Sequence, residues 1–196
     1  MREAIALAFA LTACGARAES SACPSGTHED ASRTQAIIDR LDTSPDGHAL
    51  LARRSLVARV CFAPASSASV LTTDHVILLA DDLELGEAAA RVGHLLVHLR
   101  DGLPIDAVSG QAAERACDAA VDRALTLEAR AYVVEVELQG TLDAHPHVLA
   151  FEFTDAVRAA PADARDALVL AYLRTHPSGG PGIEGLGTAY RAQCAH

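Results

Sequence analysis

The sequence has no tryptophan and few other aromatics, with three tyrosines and four phenylalanines in 196 residues. That excludes a core of stacked rings. The hydrophobic half of the chain must build its interior from alanine, leucine and valine, which points to a helix-rich domain. The length fits one domain. Positive charge is also short: 16 basic residues face 26 acidic ones, for a net charge of -10. Such a balance argues against a nucleic-acid backbone as partner. The apolar run Ala4 to Ala13 is too short to span a membrane. There is no internal repeat. No Gly-x-Ser-x-Gly elbow surrounds Ser66, Ser67 or Ser69, so a serine-hydrolase reading is weak.

What the N-terminus does contain is a targeting pattern. Arg2 is followed by the short apolar run and then by Leu11-Thr12-Ala13-Cys14-Gly15, which resembles a bacterial lipoprotein signal. On that resemblance residues 1–13 are the signal and Cys14 is the lipid-modified first residue of the mature chain. Residues 14–29 form a small, polar tether, residues 30–176 the domain, and residues 177–196 a Gly/Pro-rich tail. The implied location is the bacterial cell envelope, on the periplasmic or outer face, with membrane contact through the lipid. Ordinary secretion and a cytosolic N-terminus are the alternatives. Setting Cys14 aside leaves Cys23, Cys61, Cys117 and Cys194. In an oxidising compartment these form two disulfides in one of three pairings. Cys61 with Cys117 and Cys23 with Cys194 is preferred, because it ties both ends to the domain. The wide, irregular spacing disfavours a cysteine-rich zinc module.

The expected class is α+β, helix-rich with a small sheet. Helices are expected over Asp30–Leu41 and His48–Ala58, around a turn at residues 43–47. Val60–Phe62, Val70–Thr73 and above all His75–Leu79 read as strands. A helix follows from about Glu87 to Arg100. Residues 105–110 read as a loop or a short turn of helix. A long helix spans Gln111–Leu138, with Gly140 as its stop. The state of Val148–Val157 is ambiguous, and Asp163–Thr175 reads as the last helix. The tail after it is expected to be mobile or pinned only by Cys194.

His94 and His98 lie four apart on the third of these helices and so share a face. Two imidazoles at that spacing can grip one metal ion; zinc usually adds a third protein ligand. Glu128 is the best candidate. On the long helix it shares a largely apolar face with Cys117, Val121, Ala124, Ala131, Glu135 and Leu138. A carboxylate there needs a partner, which a metal, Arg54 or Arg91 would supply. Glu135 is placed to orient a ligand histidine, and its simpler reading is a helix-end residue that reaches water. For His94 and His98 the simpler reading is satisfied core or surface histidines. His145, His147, His176 and His196 read as solvated, while His75 could approach the site from the strand.

Taken together, a strand, a helix with His94-Leu95-Leu96-Val97-His98 and a later carboxylate helix resemble the zincin metallopeptidases over roughly residues 70–138. The resemblance implies zinc bound by His94, His98 and Glu128. It also implies a departure, because Leu95 stands where the family's motif has its glutamate base. Leu95 fits the packed face with Val92, Leu96 and Leu99 instead. Asp101, Glu84 or Asp82 would have to substitute for that base, Asp101 first. The leading expectation is a lipid-anchored, catalytically degenerate zincin-like domain that binds a protein or peptide or serves structure. An active metallohydrolase with a substitute base, and a structural lipoprotein without metal, are the alternatives.

Overall fold

The computed structural model describes residues 22–65, 69–109, 114–144, 151–178 and 185–194. Cys14, Ser66, Ser67, His145, His147 and His196 lie outside them. The architecture is α+β, helix-rich with one small mixed sheet. No helix among the described residues is long and apolar enough to cross a membrane.

The first helix, α1 (Ala31–Asp42), starts where Asp30 accepts a hydrogen bond from the Arg33 amide. Its buried stripe is Ile37, Ile38 and Leu41. The next helix begins earlier than expected. Ser44 caps α2 (Pro45–Leu51) and Pro45 occupies its first turn, a position that suits proline's fixed φ. The expected turn at residues 43–47 is therefore a helix start, and α2 ends at Leu51. A single 3-10 turn follows at Arg54–Leu56, where Leu56 is exposed.

The sheet has the order β1-β3-β2. Strand β1 (Arg59–Ala63) runs parallel to β3 (Val76–Ala80), and the short β2 (Val70–Leu71) pairs antiparallel on the other edge. His75 is not among the described residues that line the cleft beside His94 and His98. It sits in a left-handed turn (φ 59) with Nδ1 against the Leu56 carbonyl.

Helix α3 (Leu85–Asp101) carries the histidines. Glu84 and Glu87 form a capping box at its start, and Gly102 ends it with a φ of 114 that side chains rarely adopt. Residues Val92 to His98 are all buried, as expected of a helix enclosed on every side. It packs on α1 and most extensively on α5 (Glu114–Thr141). Gly93 permits that close approach, since a Cβ there would sit 2.2 Å from a Leu138 methyl.

Between them runs α4 (Pro104–Val108), the short-helix alternative for that segment. The ambiguous stretch contains a helix, α6 (Phe151–Ala159), and α7 (Arg165–Thr175) follows a 3-10 turn. The tail holds a further helix, α8 (Leu186–Cys194), so α7 is not the last.

The disulfides join Cys23 to Cys61 and Cys117 to Cys194, with Cα separations of 5.8 and 5.7 Å. The preferred pairing of Cys61 with Cys117 and Cys23 with Cys194 is thus corrected. Backbone bonds between His28 and Phe62 lay the segment after Cys23 along β1, beside Cys61. Helix α8 packs on α5 and delivers Cys194 to Cys117. The end of the expected tether and the tail are each bound to the nearest element.

Candidate metal centre

Helical spacing brings His94 and His98 together on α3. Their Nε2 atoms are 3.1 Å apart, and the rings meet edge to face. Facing them from α5 is Glu128, whose Oε2 lies 3.2 Å from His94 Nε2 and 3.4 Å from His98 Nε2. All three residues are buried. Tetrahedral zinc with bonds of about 2.0–2.1 Å places neighbouring donors about 3.3 Å apart. The three edges of the donor triangle match that spacing, so the residues fit the ion.

Behind the donors, Glu135 is 2% exposed and does not reach water as its simpler reading had it. Its Oε2 lies 2.9 Å from His94 Nδ1, a close ion-pair contact without hydrogen-bond alignment. It also pairs with Arg91 at 3.5 Å, and Gln139 donates to its other oxygen. A carboxylate beside a histidine raises its basicity through its charge. Arg91 thus pairs with Glu135, and Arg54 lines a different cavity. His94 also packs edge-on against Tyr132. His98 Nδ1 has no hydrogen-bond partner among the described residues.

With neutral histidines the charges do not balance. Two buried carboxylates, Glu128 and Glu135, face one largely buried guanidinium, Arg91. Burial opposes charge on His94, but Glu128 and Glu135 outweigh it and raise its pKa. Burial also works against ionised Glu128, yet the hydrogen bonds of His94 and His98 lower its pKa. Glu135 is lowered too, against burial, by Arg91 and then by His94. The site therefore favours added positive charge. One proton on His94 meets that demand, and a divalent cation held by neutral histidines meets it with one charge to spare.

A cleft of about 160 Å³ opens beside the donors. Its walls include Leu71 from the sheet edge, Leu95, Ile105 from α4, and Leu186 and Tyr190 from α8. Tyr190 donates a hydrogen bond to Glu128 Oε1. Sequence reasoning missed this residue. The available signal was its place four residues before Cys194, in a stretch free of proline.

The proposed substitute bases are placed elsewhere. Asp101 receives both of its hydrogen bonds from Arg100, and that guanidinium lowers its pKa. Glu84 is engaged in the capping box. Neither these two nor Asp82 is among the described residues that line the cleft. Ser69 lines it, and His176 stacks on Tyr172 away from it.

Comparison with family models, with curated proteins and with solved structures finds no match to the chain. The site's chemistry is therefore read from its own geometry.

Proposed function

We propose that this chain is an exported, zincin-like zinc-binding domain, lipid-anchored through Cys14, that has lost peptidase chemistry and serves to bind a protein or peptide. The donor triangle of His94, His98 and Glu128 carries the reading. Two imidazole nitrogens and one carboxylate oxygen suit zinc better than magnesium, which prefers oxygen donors. The two disulfides support an oxidising compartment.

When bound, zinc would supply a Lewis-acidic centre beside the cleft. Hydrolysis also needs a group that takes a proton and passes it on. Leu95 occupies the wall where the zincin motif has that group, and it can do neither. Loss of one general acid–base group typically costs roughly 10²–10⁴ in rate. What the cleft keeps is a mixed lining, with Leu71, Leu95, Ile105 and Leu186 beside Arg91 and Tyr190, which suits retention of a ligand with both apolar and polar groups.

Metal analysis of the purified, untagged protein tests the reading, with stoichiometric zinc expected in the wild type and little in His98→Ala. Chelator-sensitive cleavage of an unstructured protein should stay at background in the wild type. Leu95→Glu should raise it if the remaining machinery is intact. Robust wild-type cleavage that His94→Ala abolishes would contradict the loss of peptidase chemistry. Absence of zinc binding would remove the metal.

A further inference from the structure

The two oxygens of Glu128 have different partners. Oε2 faces the two histidine nitrogens, at 3.2 and 3.4 Å. Oε1 accepts the hydroxyl of Tyr190. A carboxylate on a flexible side chain could turn either oxygen, or both, toward a cation. Here one is already engaged, so the residue presents a single oxygen to the histidine pair.

Tyr190 comes from a helix that is itself firmly held. Cys194, one turn later on α8, is bonded to Cys117 of α5, the helix that carries Glu128. Arg191 pairs with Asp118 of α5. At the other end, Gly187 sits so close to Pro177 that a Cβ would come within 2.9 Å of it. Helix α8 is therefore seated at both ends, and the tyrosine is seated with it.

We infer that Tyr190 is the positioning residue of the metal site, aiming Glu128 at the histidines, and that the Cys117–Cys194 disulfide holds it there. This rests on the zinc reading of His94, His98 and Glu128. Groups that orient a metal ligand through a hydrogen bond typically matter 10–100-fold in affinity. Tyr190→Phe removes only the hydroxyl and keeps the ring against the cleft wall.

The test is zinc affinity of the full oxidised chain, by competition with a chromophoric chelator, together with the visible spectrum of the cobalt(II)-substituted protein. Tyr190→Phe should weaken zinc about 10–100-fold and change the cobalt spectrum, since the carboxylate is free to bind through either or both oxygens. A purely structural tyrosine would leave that spectrum unmoved. Cys117→Ala/Cys194→Ala should weaken zinc as well, and adding Tyr190→Phe to it should cost little more. Cys23→Ala/Cys61→Ala should leave affinity unchanged. If the wild type binds zinc and Tyr190→Phe matches it in affinity and spectrum, the assignment to Tyr190 is overturned while the site stands. Unchanged affinity in Cys117→Ala/Cys194→Ala overturns the role of the disulfide. A wild type that binds no zinc overturns the site and this assignment together.

Discussion

Two hydrophobic cores meet at the histidines, and they are made differently. The core on the sheet side packs Ile37, Leu41, Phe62, Ile77, Leu79 and Leu96 with Ala88, Ala89 and Ala90, side chains from both helices and strands. The core on the other side is built from helices alone, with Val121, Leu125, Tyr132, Val157, Val169 and Leu173 around α5. Each region carries its own disulfide, Cys23–Cys61 against the sheet and Cys117–Cys194 in the helical core. Helix α5 contributes to both cores, and α3 contributes to the first. Glu128 and Glu135 thus reach the histidines across the seam. The difference teaches that the site is the joint between two independently stapled regions, and that its buried charges depend on both.

The largest expected effect breaks the joint itself. Glu135→Ala removes the carboxylate that contacts both Arg91 and His94. Removing one partner of a buried ion pair typically costs about 3–5 kcal/mol. Urea unfolding should show a loss of that size, while a change at an exposed acid such as Asp39 should cost almost nothing.

Next come the two staples. Loss of a native disulfide typically costs about 2–5 kcal/mol. The helical-core bridge spans 77 residues of sequence and the sheet-side bridge 38. Loop-closure entropy rises by about 0.6 kcal/mol per doubling. Cys117→Ala/Cys194→Ala should therefore be slightly more destabilising than Cys23→Ala/Cys61→Ala in the same denaturant series. The reverse order would show that the sheet-side region depends more on its bridge than chain entropy allows.

Acidity sharpens the comparison at the seam. In the metal-free protein, Glu128 and Glu135 have lowered pKa values. Their contribution is present above their ordinary value of 4.5 and is lost as pH falls below it. His94 is raised, so its contribution is complete below its ordinary 6.5 and is lost as pH rises through its folded value. Chelator-treated protein should thus lose stability as pH rises through the histidine range. Zinc-loaded protein should do the opposite, because protons compete with the metal for imidazole. Thermal unfolding curves with chelator and with zinc check this. Parallel pH profiles would contradict it.

The sheet-side region was also the more legible in the sequence. Asp30 before an apolar stripe, the strand run ending at Leu79 and the helix from about Glu87 to Arg100 all carry local physical signals. The two histidines and Glu128 could be paired because spacing on a helix assigns faces, and the face of α5 named in advance is buried from Cys117 to Leu138. The helical region gave less away. Phe151 and Phe153 suit a strand as well as a helix, and α6 is decided by packing on α5 and α7. Helix α8 hides behind a run of glycine and proline, and with it went Tyr190. The disulfide pairing was not legible, because cysteine spacing says nothing about which elements lie side by side. Only the packing of α8 on α5 and the bridge from His28 to Phe62 reveal it.

The smallest effect should stay on one side of the joint. Ser44 is buried and caps α2 through the Gly47 amide. Ser44→Ala should cost about 1 kcal/mol, seen as a small shift in the denaturation midpoint with zinc affinity unchanged. A change in affinity would show that the sheet-side region is coupled to the site more widely than through α3.

The most direct measurement is calorimetric titration of zinc into chelator-treated, oxidised protein, alongside His98→Ala and Glu128→Ala. Stoichiometric binding by the wild type, with a rise in thermal stability that both variants lose, is the expected result. No heat of binding and no stabilisation of the wild type would show that His94, His98 and Glu128 form a proton-balanced ion cluster that takes no metal.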